Sequence, residues 1–159
     1  MLPQRRELFR KLALLAGVAA AGAATPAAAQ APARRFIKRD SAERSGYSMA
    51  VVTQGGRTIW LAGQTGAVDG SGKSLAGNLD AQVHQVFANL AATLAEAGGK
   101  LSDMVSMTVF LTDPRNHQRF TAMRREILGE NFPVSAAIYI SHLANPDALL
   151  EIQGVAVVG

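Results

Sequence analysis

The chain has 159 residues with no cysteine and three histidines, and 48% of its residues are hydrophobic. This composition excludes a disulfide framework and a thiolate metal site, and the length predicts a single globular domain. The formal net charge is +4, but four of the 16 basic residues and one of the 12 acidic residues precede position 30, which leaves +1 on the rest. Such a balanced remainder argues against nucleic acid as a partner.

The first 29 residues have the pattern of an export signal. Arg5 and Arg6 precede an Ala/Leu/Gly-rich run from Leu12 to Ala24, and small residues follow at positions 27–29. This pattern predicts a signal peptide of the twin-arginine type over residues 1–29 and a periplasmic mature chain without membrane contact. An uncleaved membrane anchor is the alternative, but the apolar run is shorter than the roughly 20 residues that a spanning helix needs.

The next segments predict a linker and a β-hairpin. Residues 30–45 are polar and basic, which is typical of a linker, with a short edge strand at Phe36–Lys38. A β-hairpin is expected at the start of the domain proper, over residues 46–159, because Gly55 and Gly56 supply the positive φ of a tight turn between two apolar runs. The two arms of this hairpin would span residues 47–53 and 58–62.

Two amphipathic helices are predicted further on. The first runs from Leu79 to Ala97, where apolar residues recur at spacings of three and four. The second begins at Asp113-Pro114, with aspartate as cap and proline in the first turn, and ends near Gly129. Its apolar stripe is formed by Phe120, Met123 and Ile127. Four arginines occupy the rest of this helix: Arg115, Arg119, Arg124 and Arg125. Such a set is typical of a solvated face, although an arginine that turns toward a pocket would bind a carboxylate with two hydrogen bonds.

Three more strands complete the pattern. One spans Met104–Leu111, and another follows Asn131-Phe132-Pro133, because the residue before proline is disfavoured in a helix. In the last strand, Leu149–Val158, period-2 alternation places Glu151 and Gln153 among apolar residues on one face, which indicates a pocket or an interface. The order of elements predicts an α+β fold, a two-layer sandwich in which two helices cover one face of a mixed six-stranded sheet.

The chain resembles the RidA (YjgF) family of small deaminases that act on reactive enamine and imine intermediates. The resemblance extends from Phe36 to Val158 and lies in the order and spacing of its matching segments: Ile59–Gln64, Gln82–Gly98, Asp103–Val105, Thr108–Asp113, Asn131–Pro133 and Glu151–Ile152. It implies a chorismate-mutase-like fold and a homotrimer with three small-molecule clefts at subunit interfaces. No cofactor and no metal are implied.

The resemblance also implies roles for individual residues. Glu151 matches the glutamate that positions the attacking water, and Tyr47 matches a tyrosine that lines the cleft. The arginine that clamps the substrate carboxylate in deaminating members is Ser135 here, so the chain departs from the family at this position. A cleft serine is replaced by Ala62, and an asparagine of the second helix falls near Thr121.

Two functions remain open from the sequence. The chain is either a hydrolase of imine-type metabolites, with Glu151 as general base on water, or a non-catalytic trimer that binds a small molecule or serves a structural role. In the second case Glu151 would hydrogen-bond backbone amides across the interface. Because Ser135 cannot form an ion pair with a carboxylate, a cation from elsewhere would decide between them, and Arg124 and Arg125 are the candidates.

Overall fold

The computed structural model describes residues 33–159, so the predicted signal peptide and its cleavage site lie outside the described residues. The elements follow in chain order: β1 (Ala33–Ile37), α1 (Asp40–Arg44), β2 (Ala50–Gln54), β3 (Arg57–Thr65), α2 (Leu79–Glu96), β4 (Met104–Leu111), α3 (His117–Leu128), β5 (Val134–Tyr139) and β6 (Leu150–Val158). Short 3-10 turns precede β4 and α3. None of the described helices is long and apolar enough to cross a membrane.

The main sheet has four strands in the order β3-β6-β4-β5. β4 and β5 are parallel, and the other neighbours are antiparallel, so the sheet is mixed. β1 and β2 form a separate antiparallel pair, which an isolated bridge between Ser48 and Val134 joins to the edge of the main sheet. The predicted α+β class is confirmed, and its six strands are divided between a four-stranded and a two-stranded sheet.

The predicted hairpin is wrong in its strand pairing. Gly55 and Gly56 do adopt positive φ in the turn, but β2 pairs with β1 and β3 pairs with β6. The ladder between β3 and β6 runs from Arg57 opposite Val158 to Thr65 opposite Glu151, and it packs one side of β3 on the core. A turn motif fixes only the chain reversal, whereas partners remote in sequence decide the pairing here. β1 lies in the segment predicted as a linker and begins three residues before the short edge strand that was expected at Phe36–Lys38.

The hydrophobic core lies between one face of the main sheet and the helices α2 and α3. Alternate residues of β4 and β6 are buried in it together with helical residues: Met107, Val109, Leu111, Leu150, Ile152, Leu90, Leu94 and Phe120. Each such side chain stabilises the fold by about 1.5–3 kcal/mol relative to an exposed one. The predicted alternation in the last strand is confirmed, because Glu151 and Gln153 point away from this core.

The opposite side of the main sheet, called the open face below, carries no helix in the described chain. It is formed by alternate residues of the four strands: Trp60, Ser106, Thr108, Phe110, Ile138, Glu151, Gln153 and Val155. Trp60 is 80% exposed there, and Ile138 is 42% exposed. Large apolar side chains on an uncovered sheet face are typical of a surface that binds a partner.

Candidate active site

Two hydrogen bonds of Ser48 join the segment before β5 to the loop that follows α1. Ser48 is buried, its backbone N–H donates to the carbonyl of Pro133 at 3.1 Å, and its hydroxyl donates to the carbonyl of Phe132 at 2.6 Å. Pro133 thus ends the turn after α3 and also fixes where this loop lies. Tyr47, which precedes Ser48 in this loop, and Ser135, at the start of β5, line the same cavity.

Arg124 is one of the two arginines that the sequence interpretation named as candidate cations of the cleft. Its side chain is buried between α3 and β5, where only 3% of the residue is exposed. Nη1 donates to the hydroxyl of Ser135 at 3.0 Å, and Nη2 donates to the carbonyl of Ser45. The guanidinium carbon lies 5.3 Å from the centroid of the Phe120 ring. The guanidinium of Arg124 therefore reaches the position at which the family arginine would begin.

The charge of Arg124 has no anionic partner within residues 33–159, where the ion pairs join other residues. Its Nε is buried and makes no hydrogen bond to this part of the chain. Burial lowers the pKa of Arg124 to about 10, an effect that Tyr47 opposes in part. The side chain remains a cation at neutral pH, since this pKa is still far above 7.

A cavity of about 340 Å³ opens beside this guanidinium and is called the Arg124 cavity below. Its lining residues come from the loop after α1, from α3 and from β5: Ser45, Tyr47, His117, Arg124, Ser135 and Ala137. At its rim, the Tyr139 hydroxyl and His117 Nδ1 share a hydrogen bond of 2.8 Å. The volume is in the range typical of small-ligand sites.

A second cavity of about 310 Å³ adjoins the first, and Ser45 and His117 line both. It also contacts Thr121, whose hydroxyl is buried and makes no hydrogen bond within the described chain. Arg125 also lines this cavity. Its side chain is exposed, and within the described chain it is Arg124, not Arg125, that donates a hydrogen bond to Ser135. Tyr47 and Ser135 thus line the first cavity, and Thr121 lines the second.

Glu151 lies elsewhere, on the open face, in the row that contains Thr65 of β3 and Phe110 of β4. Its carboxylate is placed directly over Gly63, because a Cβ added to Gly63 would lie 1.8 Å from Oε1 and 2.7 Å from Cδ. The pairing of β3 with β6 shifts between Leu61 and Gln64, so this glycine belongs to a β-bulge. Ala62 is exposed in the same bulge.

Ser135 and Glu151 point to opposite faces of the sheet. Ser135 is opposite Met107, which is buried under the helices, whereas Glu151 is opposite Phe110 on the open face. Residues opposite each other on neighbouring strands share a face. One chain alone therefore does not bring the Glu151 carboxylate to the Arg124 cavity.

The sequence interpretation placed Arg124 outside the apolar stripe of the second helix and named it, with Arg125, as a candidate cation; the structure buries Arg124 and leaves Arg125 exposed. Arg124 follows Phe120 by four residues and precedes Ile127 by three, so helical periodicity places it on the apolar stripe. That spacing was the available signal for a buried guanidinium. His117 was also missed, although it lies seven residues before Arg124 and hence on nearly the same side of α3.

Residues 38–158 match the family model described as Endoribonuclease L-PSP. The chain belongs to the RidA (YjgF) family. A RutC family protein of Pyrococcus abyssi is 33% identical over 110 residues, which cover 69% of this chain and 84% of that protein. A crystal structure of a Rid family protein of unknown function from Yersinia pestis has a TM-score of 0.70 at 30% identity, over 79% of this chain and 98% of that one.

Some RidA relatives carry the name of an enzyme. A 2-iminobutanoate/2-iminopropanoate deaminase of Mus musculus is 30% identical over 113 residues, which cover 71% of this chain and 82% of that protein. A protein of the same name from Dermatophagoides farinae is 27% identical over 112 residues, covering 70% and 85% respectively. The predicted family and fold are thus confirmed. Within the described residues of this RidA chain, no cluster of His, Cys, Asp and Glu is arranged to hold a metal ion.

Proposed function

We propose that this chain is an exported RidA-type hydrolase that deaminates small imine or enamine metabolites in clefts between subunits of a homotrimer. The observation that carries the proposal is the half-buried carboxylate of Glu151, held over Gly63 on the open face of the sheet. At the edge of a cleft between two chains, a carboxylate in this position would be suited to orient water and accept its proton. The deaminase names of two relatives support this reaction class.

The chemistry requires one base and no cofactor. Water would add to the carbon of the protonated C=N bond while Glu151 accepts one of its protons. Glu151 would return that proton to the nitrogen of the resulting tetrahedral amino alcohol, and the C–N bond would break as the C=O bond forms. The hydroxyl proton released in this step would pass to the departing ammonia. The products are a carbonyl compound and ammonium, so that Glu151 returns to its starting state.

The site needs two chains, because Glu151 and the Arg124 cavity lie on opposite faces of the sheet. Placing the open face of one copy against the cavity edge of the next would bring them together. The exposed Trp60, together with Ile138 and Val155, gives the open face apolar area to bury in that contact. A closed ring of three copies would satisfy every such surface, since the contact is head-to-tail.

Export is the part of the proposal that rests on the sequence alone. The arginine pair and the Ala/Leu/Gly-rich run would direct the chain through the twin-arginine route, and cleavage after Ala29 would release it into the periplasm. The protein would then act on reactive metabolites outside the cytoplasm. Without cysteine, its stability would come from the core and from association.

A non-catalytic binding or structural trimer is the second candidate function, and the serine at position 135 favours it. The experiment that separates the two generates 2-iminobutanoate in situ and follows its disappearance against the spontaneous rate. The wild-type protein should accelerate the reaction, and Glu151→Gln should not. Glu96→Gln, which changes an exposed carboxylate of α2, is the matched control and should retain wild-type activity. A wild-type rate equal to the spontaneous rate would leave only the binding function.

A further inference from the structure

Resting on the function just proposed, we infer that His117 and Tyr139 form a specificity-determining end of the cleft, and that they select imino acids whose side chain carries a second carboxylate. The substrate class is then a 2-imino dicarboxylic acid such as 2-iminoglutarate, rather than an imino acid with an alkyl side chain. His117 would contact the side-chain carboxylate. Tyr139 would be a positioning residue that acts through the ring of His117.

The position of the pair follows from the alternation of β5, which is the edge strand of the main sheet. Ser135, Ala137 and Tyr139 are every second residue of this strand, and each lies opposite a buried core residue of β4: Met107, Val109 and Leu111. Residues opposite each other on neighbouring strands share a face. The three side chains of β5 therefore form one row on the side of the sheet that carries the helices.

Two hydrogen bonds join α3 to the two ends of this row. Arg124 Nη1 donates to the Ser135 hydroxyl at 3.0 Å, and the Tyr139 hydroxyl lies 2.8 Å from His117 Nδ1. His117 precedes Arg124 by two helical turns, a separation of about 10 Å along the helix. Ala137 follows Ser135 in the row and contributes only a methyl group to the lining of the cavity. The space over Ala137 therefore lies between His117 at one end and Arg124 at the other.

The contact with Tyr139 gives the His117 ring a defined orientation. With the phenol hydroxyl as donor to Nδ1, the proton of the neutral imidazole is on Nε2, which can donate to a ligand. The two rings also pack edge to face, with centroids 6.1 Å apart and an angle of 63° between their planes. A carboxylate bound close to this ring would favour the imidazolium, whose Nδ1–H then donates to the Tyr139 oxygen.

The residues around His117 favour an anionic side chain over a neutral one. In the described chain, neither the Arg124 cavity nor the cavity beside it is lined by an aspartate or a glutamate, and their charged lining residues are Arg124 and Arg125. A carboxylate beside His117, which lines both cavities, would therefore meet donors and positive charge. The Arg124 cavity, at about 340 Å³, is in the volume range of sites for drug-sized ligands, so a side chain longer than that of 2-iminobutanoate can extend over Ala137.

Binding of two isosteric product analogues, measured without turnover, tests the inference. 2-Oxoglutarate carries the second carboxylate, and 5-methyl-2-oxohexanoate has an isopropyl group in its place. In calorimetric titrations of the purified protein, wild type should bind 2-oxoglutarate about 10-fold more tightly than the isopropyl analogue, as expected for one charge-assisted hydrogen bond. In His117→Phe, which keeps an aromatic ring but has no donor, the ratio of the two affinities should fall to about one. His142→Phe, which changes an exposed histidine that bonds to Ser141 outside both cavities, is the matched control and should keep the wild-type ratio.

Tyr139→Phe keeps the test decisive if His117→Phe folds poorly, because it removes a single oxygen from a side chain that is 47% exposed. It takes the donor away from His117 Nδ1, so the ratio of affinities should fall part of the way to that of His117→Phe. Equal wild-type affinities for the two analogues, or a wild-type ratio in either folded variant, would overturn the inference. A ratio that depends on His117, without turnover of any imino acid, would instead refute the proposed hydrolysis and leave the specificity site standing. Turnover of 2-iminobutanoate by a wild type that binds both analogues equally would do the reverse.

Discussion

Substituting Gly63 by alanine should remove activity while leaving the fold nearly as stable as before. The new Cβ would lie 1.8 Å from Glu151 Oε1, whereas real Cβ contacts essentially never fall below 3.0 Å, so the carboxylate has to move by more than 1 Å. A displacement of about 1 Å at a reacting group costs on the order of 100-fold in rate. We therefore expect kcat/KM for 2-iminobutanoate to fall about 100-fold, which is roughly 2.7 kcal/mol of transition-state stabilisation.

The stability of this variant follows from what the Cβ meets. The three atoms nearest to the added Cβ belong to the flexible end of the Glu151 side chain. The free energy of unfolding should thus change by no more than about 1 kcal/mol, as measured by urea denaturation. Gly66→Ala is the control, because its Cβ would lie 2.3 Å from the backbone carbonyl of Gln82 and should cost about 1–3 kcal/mol. Wild-type kcat/KM in Gly63→Ala would refute the role given to Glu151.

Three more variants test assembly, export and the core. Trp60→Lys should convert the proposed trimer into smaller species in light scattering, because a charge would replace the most exposed large apolar side chain of the open face. An assembly of unchanged size would move the interface elsewhere. Changing Arg5 and Arg6 to lysine should retain the precursor in the cytoplasm on fractionation, and normal export would point to the general secretory route. Leu90→Ala should lower the free energy of unfolding by about 2–5 kcal/mol, since Leu90 is fully buried, and a loss below 1 kcal/mol would contradict that packing.

The sequence predicts the boundaries of those elements whose signal lies within a short stretch of the chain. The helix periodicity of α2, the cap at Asp113-Pro114 and the break at Pro133 all correspond to observed boundaries. The pairing of β2 was not local, because its partner β1 lies in a polar segment that carries no strong strand pattern. Strand partners are chosen by packing across the whole sheet, which a turn motif does not report.

The geometry of the candidate site was not predictable from the sequence. Tyr47 and Ser135 line one cavity and Thr121 lines the cavity beside it, whereas Glu151 lies on the other face of the sheet. The charge of Arg124 suggested a solvated position, but its helical phase beside Phe120 determines that it is buried. Charge and periodicity conflicted at this residue, and such conflicts are expected at functional sites.

The measurement that tests the account most directly is complementation between two inactive variants. Arg124→Gln and Glu151→Gln should each be inactive alone, because each removes one half of every cleft. Coexpressed in equal amounts, they should assemble mixed trimers in which about one cleft in four combines an intact Arg124 with an intact Glu151 from a neighbouring chain. The account therefore predicts recovery of about a quarter of wild-type activity. A mixture of stable mixed trimers that stays as inactive as its components would contradict a cleft built from two chains.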